Sequence, residues 1–297
     1  MWAAGLCVVL AAADGQLDRV LARVSGEAEA FAGRAPMMVT QETLRQKVRR
    51  GPARFRPRVG VAPVAYLTRE IVSEYGWSRF KDSPNWLHEF RQVITVDGRQ
   101  VRSHEKARTT LTMGINSEDD RVKKRMLEEY ARYSLADVGT DFGQLILLFA
   151  RRGLANYAFQ PIGAGRIGAD QTLQYAFEQK AGQEALTIFQ RRQMIRQNLR
   201  GSLWVRERDG VPLRVVLESV RQEGKVKIRD EAVVDYMMSA HGALVPVSVV
   251  QRQLQDGELM VENRFEYGPF RKFAATSDIK FGVDPSANTP PVLPKKP

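Results

Sequence analysis

The sequence predicts an α+β protein built on a meander of strongly curved antiparallel sheet. Three observations predict it. Apolar and polar residues alternate with period two through most of Gly201–Phe281, the pattern of strands with one buried face. Asp97-Gly98, Asp209-Gly210 and Asp256-Gly257 stand between such runs, which is a strong hairpin signal. No crossover helix interrupts the second half, so consecutive strands there should pair antiparallel.

The elements follow in order. Asp14–Ala32 carries Leu17, Val20, Leu21, Val24, Ala28 and Phe31 at amphipathic-helix spacing, and the helix should end near Gly33 and Pro36. Met38–Val48 alternates, with Thr40, Glu42, Leu44, Gln46 and Val48 on one side. Arg69–Phe80 puts Ile71, Tyr75 and Trp77 on one face, and Trp86–Val96 continues into the Asp97-Gly98 turn. Ser117 and Asp120 resemble a capping box opening a helix over Glu118–Tyr133, with Val122, Met126, Leu127 and Tyr130 as its stripe. A second helix is expected after Asp141, its apolar side formed by Phe142, Leu145, Ile146, Leu148 and Phe149 and its stop by Gly153. Beyond it, Leu213, Val215 and Leu217 oppose Arg214, Val216 and Glu218, and Val226, Ile228, Ala232 and Val234 oppose Lys225, Lys227, Arg229 and Glu231.

Composition bounds the class. The 297 residues, 43% of them hydrophobic, can bury a sizeable core. A single cysteine, Cys7, excludes a disulfide scaffold and a cysteine-ligated zinc site. Met1–Ala13 is apolar and uncharged, with Ala11 and Ala13 in an A-x-A arrangement before Asp14, so it reads as a signal peptide and points to export, to the periplasm if the source is Gram-negative. Three regions result: the signal at 1–13, one domain at 14–284 with a helical insertion at about 105–152, and a disordered Pro/Lys tail at 285–297.

The net charge is +11, and Arg45–Arg58 holds seven Lys or Arg and no acid. Phe55 is its sole aromatic, which argues against nucleic acid. An anionic membrane surface suits it better.

Catalytic patterns fail on inspection. His88 and His104 each precede Glu, but Gln92 and Arg108 occupy the position four residues on, so neither makes H-E-x-x-H. Gly163–Gly168 satisfies G-x-G-x-x-G, yet strand-like Thr172–Phe177 follows where a dinucleotide site needs a helix, so it reads as a flexible hairpin loop. Asp119-Asp120 and Glu128-Glu129 sit among basic residues as a solvated helix face. No metal, cofactor or catalytic residue is expected.

Gly201–Ser219, a strand with a central Trp, a tight turn and a strand opening Pro-Leu-Arg, resembles the hairpin of the periplasmic lipoprotein-carrier (outer-membrane lipoprotein-sorting) family. Tyr267–Phe281, Phe31–Gln46, and Glu74–Val101 with Trp86, Phe90-Arg91 and Val96-Asp97-Gly98 resemble, in order, large uncharacterised exported bacterial proteins thought to share that fold. The resemblance implies a curved antiparallel sheet forming an unclosed barrel, covered on its concave side by helices with an apolar space between, and so a non-enzymatic binding protein for a lipid or lipoprotein acyl chain. The cavity lining would be Leu203, Val205, Leu213, Val215, Leu217, Val226, Ile228, Val234, Tyr236, Val261 and Phe265. Asp230 and Asn263, polar residues on apolar strand faces, would orient a headgroup, and Met237-Met238 would adapt the lining. A filled core would instead make the protein a structural or regulatory interaction partner in the envelope. A hydrolase would require His88, His104 or His241 to meet an acid and a nucleophile in space.

Overall fold

Strict alternation and tight turns in the second half produce ten consecutive strands, among the described residues, without a crossover helix. The computed structural model describes residues 4–51, 64–136, 141–180, 186–190, 193–197 and 199–272. Its strands are β1 (Met38–Arg49), β2 (Tyr66–Ser78), β3 (His88–Val96), β4 (Arg99–Gln100), β5 (Tyr157–Ile167), β6 (Asp170–Gln179), β7 (Leu186–Gln190), β8 (Gln193–Gln197), β9 (Arg200–Arg206), β10 (Pro212–Glu223), β11 (Val226–Met238), β12 (Leu244–Gln255), β13 (Glu258–Tyr267) and β14 (Arg271–Lys272). Twelve form one sheet in the order β4-β3-β2-β1-β13-β12-β11-β10-β9-β6-β5, with β14 beside β1. The path does not close, and the sheet is the curved, unclosed one predicted. β7 and β8 make a separate hairpin.

The predicted turns are where the strands reverse. Asp97 and Asp256 adopt φ of 48° and 50°, followed by Gly98 at 75° and Gly257 at 86°, as a two-residue hairpin loop with both φ positive requires. The first strand lies in the middle of the sheet: β1 pairs with β13 from Glu42↔Tyr267 to Val48↔Val261, which brings residues more than 200 apart into one sheet.

Four helices flank it: α1 (Ala4–Arg34), α2 (His104–Ile115), α3 (Asp120–Ala131) and the single turn α4 (Arg151–Leu154). Helix α1 covers the concave side, burying Val20, Val24, Ala28 and Phe31 as its spacing predicts, and it ends at Arg34, one residue past Gly33, where a 3-10 turn over Ala35–Met37 begins. It runs through Asp14 without a break. The insertion does something different. Alternation along β2 sends Trp77 inward to Phe31, at 5.3 Å between ring centroids, and Gly76 outward to Val39 and Ile115. So α2 packs on the opposite, outer face, in a second cluster of Val39, Phe80, Phe90, Leu111, Ile115 and Met126. Helix α3 reaches both sides, since its Tyr130 belongs to the inner core.

Three local expectations are corrected. The N-cap of α3 is Asp119, which accepts the Arg121 N–H, not Ser117; Asp120 turns away to accept the Lys81 and Asp82 N–H groups. The helix expected after Asp141 is a 3-10 turn over Leu145–Phe149 followed by α4; Asp141 sits at φ 70°, a conformation no α-helix continues through. Gly163–Gly165 lie inside β5, and the turn falls at Gly168, so strand passes directly to strand where a nucleotide site needs a helix. Of the basic run, Arg45–Arg49 belongs to β1 and residues 52–58 lie outside the described residues, as do 1–3, 273–297 and hence the Pro/Lys tail.

Candidate functional site

The inner face of the sheet gathers the residues predicted to line a cavity. Leu203, Val205, Leu213, Val215, Leu217, Val234, Tyr236 and Phe265 are buried there, and Val226, Ile228 and Val261 are half-buried towards one mouth. Met238 packs against the same core, whereas Met237 points outward at 53% exposure and cannot adapt the lining. The face is not bare. The apolar sides of α1 and of the 3-10 turn, through Leu145, Ile146 and Phe149, join the same buried cluster. Two open depressions, of about 300 and 520 Å³, lie elsewhere: one among Arg45, Lys47, Glu70, Glu262 and Arg264, the other among Arg125, Glu128, Glu129 and Arg132.

The two polar residues predicted on this face are both held by cross-strand partners. Asn263 is fully buried; it accepts from Gln46 Nε2 at 2.9 Å and donates to Gln251 Oε1 at 2.6 Å. Asp230 accepts from Gln253 at 3.0 Å and pairs with Arg221. With Gln46, which also accepts the Leu135 N–H, they make a polar stripe across β1, β13, β12 and β11, level in register with Leu217 and Val261. The interior therefore has an apolar middle and a polar end.

A second polar feature was not anticipated. Arg91 on β3 forms a bidentate pair with Glu42 on β1, Nε to Oε1 at 2.6 Å and Nη2 to Oε2 at 2.8 Å, and a further bond from Nη2 to Glu89 Oε2 at 2.7 Å. All three side chains are 1–2% exposed. The guanidinium lies 5.0 to 5.4 Å from the rings of Tyr75, Tyr130 and Phe265, a cation–π setting. Burial alone would weaken Arg91 as a base; Glu42 and Glu89 reverse this and hold it well above its ordinary value. Arg91 Nη1 and the Tyr75 and Tyr130 hydroxyls have no partner among the described residues. The sequence carried one signal for this cluster: Glu89 and Arg91, two apart in an apolar strand, must share a face, as Glu42 must with Leu44.

The cluster also touches the cover. Glu89 Oε1 accepts the Gly143 N–H at 2.8 Å, and Asp141 Oδ1 accepts the Glu89 N–H at 2.9 Å. Gln144 donates to Leu87 O at 2.6 Å, and the Ile146 N–H donates to the Tyr236 hydroxyl at 3.0 Å. A Cβ on residue 143 would fall 2.8 Å from Glu89 Oε1 and 3.0 Å from the Tyr75 hydroxyl, so the approach needs glycine. Glu29 of α1 accepts the Arg151 N–H at 3.0 Å, which ties the 141–154 segment to the helix.

His88 meets an acid, with Nδ1 3.3 Å from Asp141 Oδ2, and packs against Phe80 with the rings tilted at 58°. No Ser, Thr or Cys is hydrogen-bonded to its ring among the described residues. His104 opens α2, and His241 lies in the turn before β12. Among the described residues no three His, Cys, Asp or Glu converge as metal ligands, and no described helix is long and apolar enough to cross a membrane. The basic residues of β1 are met by acids from neighbouring strands: Arg45 by Glu70 and Glu266, Arg49 by Glu258.

These features define a half-open α+β sheet with a helix-covered apolar interior. No family model and no curated protein matches the chain. Among solved structures it is similar to a putative outer membrane lipoprotein-sorting protein domain from Vibrio parahaemolyticus, at 7% identity and a TM-score of 0.33, over 86% of this chain and 95% of that one. It is also similar to a DUF1329 family protein from Desulfovibrio piger, at 12% identity and a TM-score of 0.33, over 86% and 94%. At that TM-score the fold assignment rests on the strand order and register above.

Proposed function

We propose that the protein is an exported, non-enzymatic binding protein, a single domain over 14–284, that shelters a lipid or lipoprotein acyl chain between its sheet and α1. The observation that carries this reading is the cover: a sheet path of eleven strands has its apolar inner face closed by one amphipathic helix and a 3-10 turn. Polar ties of α1 concentrate near its C-terminal end, where Arg79 donates to Ala32 O at 2.7 Å, Arg34 to Gly242 O, and Glu29 accepts from Arg151. A helix tied at one end can swing about Gly33–Pro36.

Magnitudes permit the exchange. Lifting Val20, Val24 and Phe31 off the sheet costs about 5–9 kcal/mol at roughly 1.5–3 kcal/mol each, and an acyl chain returns about 0.8 kcal/mol per methylene, so about ten methylenes balance it. The polar stripe of Asn263, Gln251 and Asp230 would then face a headgroup at the mouth.

The packed contact of Phe31, Ile146 and Phe149 with the inner face favours the second reading, a filled core serving a structural or regulatory envelope role. Native mass spectrometry after titration with a palmitoyl lysophospholipid separates the two. A one-to-one adduct is expected. A bare protein mass at saturating lipid, with no uptake of a hydrophobic dye, overturns the binding reading in favour of the filled core.

A further inference from the structure

We propose that Glu89 is a proton-linked latch on the cover: seating residues 141–149 against β3 takes up a proton, so acid tightens the cover and alkali loosens it. This rests on the reading that the cover opens. Arg91 brings one positive charge to two carboxylates in an interior where all three groups are 1–2% exposed. One negative charge is left over, and an uncompensated buried carboxylate is costly enough to take a proton instead. Glu42 grips the guanidinium with both oxygens, whereas Glu89 gives it one and offers the other to the Gly143 N–H. Glu89 is therefore the group placed to accept the proton, and it is also the group that opening would hydrate.

Burial, opposed by Arg91 and reinforced by Asp141 and Glu42, lifts Glu89 above the ordinary carboxylate range. The groups facing it are His88 and Arg91 on its own strand, Glu42 from β1, Tyr75 from β2, Tyr130 from α3, Tyr236 from β11, Tyr267 from β13, and Asp141 on the cover. Burial holds the four phenols above their ordinary value, so they stay neutral through the acid and neutral range. His88 Nδ1 lies 3.3 Å from Asp141 Oδ2, and His88→Asn separates that contact from Glu89. The sign follows from linkage. Closure is fully supported below the open-state value of Glu89, weakens as pH rises towards the higher closed-state value, and is level beyond it.

Amide hydrogen exchange of the full chain between pH 5 and 8, corrected for intrinsic rates, reads the opening of 141–149 against β9 as a reference. Opening of the wild-type cover should grow with pH, by up to about tenfold for each unit that closure adds to Glu89. Glu89→Gln, which keeps an acceptor for Gly143, should flatten the profile, and His88→Asn should retain most of it. A flat wild-type profile overturns the latch without any variant, as does an unchanged slope in Glu89→Gln. If residues 141–149 exchange only together with β9 at every pH, their opening and the latch are both refuted, while a lipid adduct in the titration above would still support access through α1.

Discussion

The two halves of the sheet bury their inner faces in different ways. From β9 to β12 that face is aliphatic, with Leu203, Val215, Leu217 and Val234 all buried, and the outer face carries cross-strand ion pairs such as Arg200–Glu218 and Arg214–Asp235. From β1 to β3 the inner face holds Thr40, Glu42, Gln46, Ser73, Glu89 and Arg91, all buried, while α2 and α3 cover the outer face as well. The β9–β12 half is an aliphatic surface packed against α1 and the 3-10 turn; the β1–β3 half is built around a buried ion cluster. A buried charge network adds little net stability over apolar packing but is severe to break on one side.

The largest expected effect follows from that asymmetry. Arg91→Ala leaves two buried carboxylates unpaired and should cost about 3–5 kcal/mol, read as a drop in the urea midpoint at constant slope. Replacing all three members together, Arg91→Met with Glu42→Leu and Glu89→Leu, should recover most of that loss or exceed wild type by about 1–4 kcal/mol. A triple variant as unstable as the single one would mean that the cluster does more than balance itself. In the aliphatic half, Leu203→Ala should cost about 2–5 kcal/mol through the cavity it leaves, and calorimetry of the two single variants compares the halves directly. Smallest is Asn263→Ala at the boundary between them, about 1–3 kcal/mol, because it strands Gln46 and Gln251.

The same contrast explains what the sequence disclosed. Where one face is water and the other is core, as in β10 and β11, alternation gives strand, face and turn together, and the eight fully buried lining positions were legible. Where both faces are covered, alternation carries less. Phe90 faces the outer cluster with α2 while Val93 and Arg91 face the inner one, so β3 reads as a mixed run and its charged pair draws no notice. Whether the insertion lay inside or outside the curve was equally hidden, since α3 sends Met126 to one side and Tyr130 to the other from a single stripe. The break at Asp141 was illegible for a different reason: a positive φ at a non-glycine residue is imposed by the bonds its carboxylate makes to Glu89 and His88, which are long-range. On the inner face, the burial of the aliphatic positions and the two polar interruptions were readable; the partners of those interruptions were not.

A covalent lock on α1 tests the central claim most directly. A Cβ built on Gly210, in the β9–β10 turn, lies 3.5 Å from Arg23 Cβ, within disulfide reach, so Arg23→Cys with Gly210→Cys, in a Cys7→Ser background, should staple the helix to the sheet. The left-handed backbone at Gly210 costs such a variant about 1–2 kcal/mol, which the reduced form shares and thereby controls. Lipid titration should give no acyl adduct on the oxidised protein and a full adduct once dithiothreitol releases the helix. Equal binding in the two redox states would contradict an interior that is reached by moving α1.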